Sequence, residues 1–207
     1  MVISSAKPGD SSPDVKLPSL HSRAVADLAF IRETMANATS YTAFSGWGLI
    51  LIGFGAILAG LWAAREAQLA QRLDIWLADA GISITIGAIS VALKARHAGQ
   101  PLFVGPIRKF SLSFAPAIVA GAVLTAVLMP TPAASILPGV WLLLYGTGLA
   151  AAGTMSVWVI PCMGAGFFAL GILALVGPSD WNNALLTAGF SGFHIVFGAV
   201  VMRKYGG

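Results

Sequence analysis

Apolar runs separated by short polar segments fill the chain from about residue 46 to its end. Each run has about 19 or 20 residues, which is enough for an α-helix to cross a hydrocarbon core roughly 30 Å thick. The pattern therefore predicts an all-α membrane protein with six transmembrane helices. The predicted spans are residues 46–64, 75–94, 111–129, 137–155, 158–177 and 184–202.

The apolar stretch from residue 136 to residue 177 contains no charge that would separate two helices. One helix of about 42 residues would be roughly 63 Å long, about twice the hydrocarbon thickness. The chain must therefore fold back on itself. Residues 154–156 are the predicted turn, because Pro161 then falls in the first turn of the returning helix, where a missing N–H is tolerated.

The region before the first span divides into two parts. Residues 1–20 are rich in Pro, Gly and Ser and poor in large apolar side chains, so we expect them to be disordered. In residues 21–44, apolar side chains recur at steps of three and four, as at Val25, Leu28 and Ile31. This spacing predicts an amphipathic interfacial helix that precedes the bundle formed by residues 45–207.

The composition supports the membrane assignment and limits the classes of partner to be expected. The chain is 57% hydrophobic and 10% charged, whereas soluble domains have about 25% charged residues. The net charge of +4 is not gathered into dense basic patches with stacking aromatic residues, so we expect no nucleic-acid partner. The lipid bilayer is the expected partner. A homo-oligomer or a membrane partner protein is left open.

Basic residues are distributed unevenly between the two sides of the predicted membrane. With the N-terminus inside, ten Lys and Arg residues fall in inner segments, and only Arg65 and Arg72 fall in outer ones. This excess predicts that both termini are cytoplasmic, and a bacterial inner membrane fits that topology. The tryptophans predict two aromatic belts. Trp47 and Trp158 lie at inner span ends, and the outer belt comprises Trp62, Trp76, Trp141 and Trp181.

Two segments near the ends of the bundle have a familiar sequence. They are Ile31-Arg32-Glu33-Thr34-Met35 leading into Ser45-Gly46-Trp47-Gly48, and Gly192-Phe193-His194-Ile195-Val196-Phe197-Gly198 leading into Arg203-Lys204-Tyr205-Gly206-Gly207. They resemble uncharacterised bacterial six-span integral membrane proteins. The arrangement as three helical hairpins is also similar to small six-helix acid-resistance membrane proteins. Neither resemblance implies a mechanism.

Small and polar residues form a stripe on each of two predicted helices. Asp79, Ser83 and Ser90 share a face of the second helix, and Thr187, Ser191 and His194 share a face of the sixth. Polar stripes avoid lipid, so we expect both to face the interior of the bundle, and a contact between these two helices is the resulting prediction.

His194 is the central candidate, because a titratable group about ten residues into a span is costly. Asp79 lies about 9 Å away in depth, so a proton relay would need Ser83, Ser191 or water. In the structural alternative, His194 is neutral and its ring is hydrogen-bonded to a Ser, a Thr or a backbone carbonyl across a helix interface. For Tyr145 we expect an interhelical hydrogen bond, with a share in the network of His194 as the alternative. Asp79 would then be hydrated or paired with Arg72.

Other chemistry is not indicated by the sequence. His21, His97 and His194 lie at three different depths and cannot converge on a metal, and no cofactor motif is present. No nucleophile–base pair is apparent, so we expect no enzymatic activity. A non-catalytic interaction or membrane-structural role is therefore predicted. The alternative is a small transporter, channel or proton-linked sensor that uses His194 with the Asp79/Ser83 face of the second helix.

Overall fold

The structure is a computed structural model that describes residues 25, 27–31, 45–97, 105–154 and 157–205. The chain divides into two compact units, Met1–Ala36 and Asn37–Gly207. In the first unit, residues 25 and 27–31 are helical and their apolar side chains are exposed. Residues 1–20 and the rest of the predicted amphipathic helix lie outside the described residues, so both stay predictions.

The described part of the second unit consists of helices, without any strand. We number the α-helices α1 (Gly46–Ala63), α2 (Leu69–His97), α3 (Gly105–Leu128), α4 (Leu137–Gly153), α5 (Val159–Val176), α6 (Asn182–Thr187) and α7 (His194–Tyr205). Short 3₁₀ turns, Pro132–Ile136 and Ser179–Trp181, precede α4 and α6, and a π-helical turn, Ala188–Phe193, connects α6 to α7.

Six helical segments are long and apolar enough to cross a membrane, which confirms the predicted architecture. The sixth, hereafter the last span, runs through α6, the π-helical turn and α7. The predicted fold-back between the fourth and fifth spans is also confirmed, because α4 ends at Gly153 and α5 begins at Val159 and packs along it. Residues 155 and 156 of the predicted turn lie outside the described residues.

The second span is longer than the sequence pattern predicts. Helix α2 has 29 residues, whereas the prediction for this span was residues 75–94. At 1.5 Å per residue it is about 43 Å long and exceeds a hydrocarbon core of roughly 30 Å. The added turns carry polar side chains such as Gln71 and Arg72, which hydropathy excludes from the span but which an interfacial helix end accommodates.

Helices α4 and α5 are in backbone contact along their length. A Cβ atom built on Gly146 would lie 2.7 Å from the carbonyl oxygen of Gly164, and one on Gly164 would lie 2.8 Å from that of Gly146. Further glycines at seven-residue steps keep the two backbones close, and these are Gly139, Gly153 and Gly171. Small residues at such an interface let helices gain van der Waals contact where lipid provides no hydrophobic drive.

Helix α1 packs against the last span in the same way. Gly46, Gly53 and Gly60 are also seven residues apart, and each would collide with the last span if it carried a side chain. A Cβ on Gly46 would lie 2.7 Å from the carbonyl oxygen of Gly198, and one on Gly60 would collide with the hydroxyl of Thr187. The molecule therefore contains two closely packed helix pairs, α1 with the last span and α4 with α5.

Helices α2 and α3 are peripheral. In the most apolar part of each, only 6% of the residues are buried, compared with 50% in α1. Over most of its length α2 packs on α1, and α3 packs on α4. Near one end of α2, Ala95 also meets Ile107 of α3. The remaining faces carry exposed apolar side chains suited to lipid, among them Ile82, Ile84, Val119 and Val123.

The glycine contacts predict which Gly→Ala substitutions are harmful. Gly146→Ala places a methyl group 2.6 Å from the backbone nitrogen of Phe168, where only backbone movement could relieve the overlap. We expect a loss of about 1–3 kcal/mol in the free energy of unfolding, as for overpacked cores. The measurement is unfolding of the detergent-solubilised protein by heat or by sodium dodecyl sulfate.

Gly81→Ala is the matched control, because a Cβ at Gly81 has no atom within 4 Å. It should leave stability unchanged or raise it by up to about 1 kcal/mol, since alanine is the better helix former. Equal effects of the two substitutions would contradict the close packing of α4 and α5.

Candidate functional site around His194

His194 is the first residue of α7 and follows directly on the π-helical turn. Only 1% of its surface is exposed, so the imidazole is enclosed by protein rather than by lipid or water. A π-helical turn is rare and frequently marks a functional position. It also changes the helical register before His194, an effect that an ideal helical wheel does not include.

A hydrogen bond connects His194 to α4. The hydroxyl of Tyr145 and Nε2 of His194 are 2.8 Å apart. The structure thus brings together two residues of the predicted polar network. It also agrees with the structural alternative, in which the imidazole is hydrogen-bonded across a helix interface, although the partner is a tyrosine rather than a serine, a threonine or a carbonyl group.

Aromatic rings surround this hydrogen bond. The His194 ring stacks on Phe190 with centroids 6.1 Å apart and meets Phe167 edge-on at 5.6 Å. The Tyr145 ring contacts Phe167 at 4.7 Å and Phe114 edge-on at 5.4 Å. These rings come from α3, α4, α5 and the last span, so the imidazole lies where four of the six spans meet.

The surroundings of Nδ1, the second ring nitrogen of His194, indicate which of the two ring nitrogens carries the proton. Nδ1 is buried and has no hydrogen-bond partner of good geometry among the described residues, although backbone groups of Gly189 and Phe190 approach it. A proton on Nδ1 would point towards these carbonyl groups of the π-helical turn. Nε2 would then accept the hydrogen bond that the Tyr145 hydroxyl donates.

Thr187 and Ser191 do not join His194. The Thr187 hydroxyl donates to the carbonyl oxygen of Asn183 at 2.8 Å, and the Ser191 hydroxyl donates to that of Thr187 at 2.6 Å. Such bonds within a helix satisfy a hydroxyl without a second helix. The two residues lie against the α1 glycines Gly60 and Gly53, whereas the His194 ring contacts α4 and α5.

The second and sixth helices are in contact, as predicted, because Trp76 of α2 contacts Phe190 and donates to Asn183 of the last span, but their polar stripes do not meet. Asp79 lies beside Gly55, and Ser90 lies beside Gly48, so the α2 stripe, which also includes Ser83, packs on α1. Helix α1 lies between this stripe and the last span. Its glycines explain this, because they let α1 pack closely on both helices.

The predicted alternative for Asp79, a pairing with Arg72, is not formed. Arg72 instead donates from Nε to the carbonyl oxygen of Glu66 at 2.9 Å and from Nη2 to that of Ala67 at 3.2 Å. The carboxyl of Asp79 has no hydrogen bond or ion pair among the described residues. The functional relay from Asp79 to His194 therefore has no support in the positions of these groups.

Several residues that connect the helices were not predicted. Trp76 of α2 donates to Oδ1 of Asn183 at 3.0 Å, and Asn183 donates to the carbonyl oxygen of Gly60 at 3.1 Å. Trp76 is only 4% exposed, and Trp141 donates to Thr125 at 2.8 Å. Two tryptophans assigned to the outer belt are thus used inside the protein. The adjacent amides Asn182 and Asn183 at the start of an apolar run were the available signal.

Comparison of the chain with protein-family models, curated proteins and solved structures gives no match. Within the described residues, no three His, Cys, Asp or Glu side chains converge in a way that could hold a metal ion. The site itself consists of a tyrosine–histidine hydrogen bond enclosed by phenyl rings. In that setting the pair fixes the position of the last span against α4.

Removal of the Tyr145 hydroxyl tests this role. Tyr145→Phe keeps the ring contacts but leaves Nε2 of His194 buried without a partner, which costs about 1–3 kcal/mol of unfolding free energy. Unfolding in detergent measures the loss. Thr147→Val is the control, because it removes an exposed hydroxyl on the same helix that bonds only its own backbone. A Tyr145→Phe protein as stable as this control would contradict the proposed role.

Proposed function

We propose that this protein is a non-catalytic membrane protein whose role lies in interaction or membrane structure. The observation that carries the proposal is the enclosure of His194, the one titratable residue deep in the last span, which is 1% exposed and bonded to Tyr145. A group that binds or carries protons needs access to water, whereas this imidazole is packed among rings and joins two helices.

A small transporter, channel or proton-linked sensor is the second candidate. The π-helical turn before His194 and the unpartnered Nδ1 favour it, because such turns concentrate at functional sites and a buried polar atom without a partner is unusual. Against it, the carboxyl of Asp79 lies beside Gly55 of α1 and forms no hydrogen bond to the last span. A relay between Asp79 and His194 would require the helices to rearrange.

The six membrane-spanning helices indicate a multi-pass membrane protein. A bacterial inner membrane and cytoplasmic termini are our further proposals, and the ten-to-two distribution of basic residues supports the orientation. Exposed tryptophans near the span ends, Trp47, Trp62, Trp158 and Trp181, suit the two interfaces. Reporter domains fused to the termini would reveal the side on which they lie.

The exposed faces of α2 and α3 are the surfaces on which an interaction role would depend. They are apolar, and they belong to the two helices that contribute least to the core. Lipid covers such faces in a monomer, and a second copy or another membrane protein would cover them in a complex. The proposed membership of an uncharacterised bacterial family adds no function to this picture.

The proposal predicts that loss of the imidazole affects stability and not transport. His194→Ala leaves a cavity and an unpaired Tyr145 hydroxyl, so we expect a loss of about 2–4 kcal/mol in unfolding free energy. Purified protein in sealed vesicles should show no proton or ion flux above that of empty vesicles, with or without the substitution. A pH-sensitive dye inside the vesicles measures proton flux.

Asp79→Ala is the companion variant in the same vesicles, because it removes the other intramembrane acid–base candidate without touching the His194 site. Flux through the unmodified protein that either substitution abolishes, at equal amounts of folded protein, would contradict the proposal and support the transport alternative. Absence of flux in all three proteins, with stability lowered by His194→Ala, is the expected result.

A further inference from the structure

Helices α2 and α3 meet at one end of the bundle through a small buried contact. Ala95, in the last turn of α2, is fully buried, and it packs on Ile107, in the first turn of α3. Each of these residues is followed directly by an arginine, Arg96 in α2 and Arg108 in α3. The contact therefore brings the backbones of two arginines close together from separate helices.

Exposed basic side chains surround this contact. Arg96, Arg108 and Lys109 are all exposed, and we call these three residues the α2–α3 basic patch. His97 lies beside them, but its Nδ1 is 2.8 Å from the carbonyl oxygen of Leu93, so its ring is turned back onto α2. Among the described residues, no carboxylate forms an ion pair with the patch. Its three positive charges therefore lack a counter-charge in this part of the structure.

The acidic residues of the described transmembrane helices are distant from the patch. The sequence contains no Asp or Glu between Asp79 and Asp180. Asp79 precedes Arg96 by 17 residues of α2, which is about 25 Å of helix at 1.5 Å per residue. Asp180 lies near the other end of α2, because Asn183, about one turn further along, bonds to Trp76. A cationic surface without neighbouring acids attracts anions.

Exposed apolar side chains continue from the patch along both helices. On α2, Leu93 and Ile89 precede Arg96 by three and seven residues and share its face. On α3, Leu112 follows Arg108 by four residues and shares its face in the same way. All three apolar side chains are exposed. Each helix therefore places a cation at its end and apolar surface beyond it, which matches the anionic head and hydrocarbon chains of a lipid.

We propose that the α2–α3 basic patch binds the headgroup of an anionic phospholipid, whose acyl chains lie along the exposed faces of the two helices. Guanidinium groups bind phosphate through paired N–H donors, and the patch contains two of them. Lys109 adds a third charge, and the start of α3 adds the positive end of a helix dipole. The inference rests on the membrane role proposed above and names a partner for it.

A lipid fits these surroundings better than a soluble anion does. A free phosphate or a soluble acidic protein would use the charges of the patch but would leave the apolar surface at Leu93 and Leu112 uncovered. Under the orientation proposed above, this end of the bundle lies at the cytoplasmic leaflet, whose anionic lipids attract basic residues next to the spans. Basic pockets between transmembrane helices on that side bind acidic headgroups in other membrane proteins.

Lipid selectivity of the unmodified protein is the first test. The full-length protein, delipidated in detergent, is mixed with equal amounts of phosphatidylglycerol and phosphatidylcholine that carry the same acyl chains, and native mass spectrometry counts the lipids retained. We expect at least about tenfold preference for phosphatidylglycerol in the first lipid retained, because each Lys or Arg near an anionic surface favours binding about fivefold. Equal retention of the two lipids would overturn the proposal.

Soluble glycerol phosphate tests whether the acyl chains contribute, because it carries a charged head without them. In excess, it should leave most of the retained phosphatidylglycerol in place. Displacement of the lipid would show that the headgroup alone is sufficient and would overturn the assignment to a membrane lipid. Flux in vesicles tests the proposed function separately, so lipid selectivity can fail while that proposal stands, and the reverse is also true.

Two double substitutions with equal changes of charge locate the site. Arg96→Gln combined with Arg108→Gln should lower the preference for phosphatidylglycerol about tenfold or more, since both guanidinium groups are lost. Arg203→Gln combined with Lys204→Gln is the matched control and should leave the preference unchanged, because these exposed cations belong to the last span and not to the patch.

The control is matched for position as well as for charge. Arg203 and Lys204 lie on the same side of the bundle as the patch, because the start of α1 contacts both Met202 of α7 and Ser90 of α2. An equal loss of preference in the two double variants would show attraction to overall charge and contradict a site between α2 and α3. Unfolding in detergent verifies that both variants fold, and the lipid comparison on the unmodified protein decides the question if either does not.

Discussion

Close contact between helix backbones is the constraint on which the rest of this structure depends. Lipid is as apolar as the side chains it surrounds, so the spans gain little from simple burial and must associate through tight packing and hydrogen bonds. Glycines at seven-residue steps provide that packing twice, at Gly46, Gly53 and Gly60 of α1 and at Gly139, Gly146 and Gly153 of α4. The first set contacts the last span and the second contacts α5.

The two helix pairs meet around the aromatic rings of Phe167, Phe190 and Tyr145, and His194 lies among them. In these apolar surroundings, the one hydrogen bond between the last span and α4 determines how the two helices are positioned more than how strongly they associate. Dispersion contacts allow many similar packings, whereas a hydrogen bond between Tyr145 and His194 is satisfied at one register. The π-helical turn sets the direction of the imidazole, and its Gly189 leaves room for Leu142 of α4 and Phe167 of α5.

The span count, the fold-back between residues 136 and 177, and the burial of His194 inside the bundle could be predicted from the sequence, because they follow from hydropathy, from helix length and from the cost of a titratable group in lipid. The partner of His194 could not. The prediction had the two polar stripes face the bundle interior and assumed a regular helix through residues 187–198, whereas a π-helical turn interrupts it there. It also assigned Trp76 to an interface belt, although a tryptophan can equally bond inward, as it does to Asn183.

The seven-residue spacing of these glycines is present in the sequence, but none of the predictions above uses it. Its seven-residue step at Gly46, Gly53 and Gly60 indicates one continuous helix face, and recognition of that step would have predicted a close neighbour for α1. It would not have identified the last span as that neighbour. The spacing shows which face of α1 carries small residues, but it does not show which helix packs on that face. That choice depends on the side chains of both helices.

A double-mutant cycle between Tyr145 and His194 tests the central claim, that their hydrogen bond joins the two helix pairs, most directly. Unfolding free energies of the original protein, Tyr145→Phe, His194→Leu and the double variant would be measured in one detergent. Our account predicts a coupling of about 1–2 kcal/mol, within the range for residues in direct contact. Additive effects, within about 0.3 kcal/mol, would contradict it.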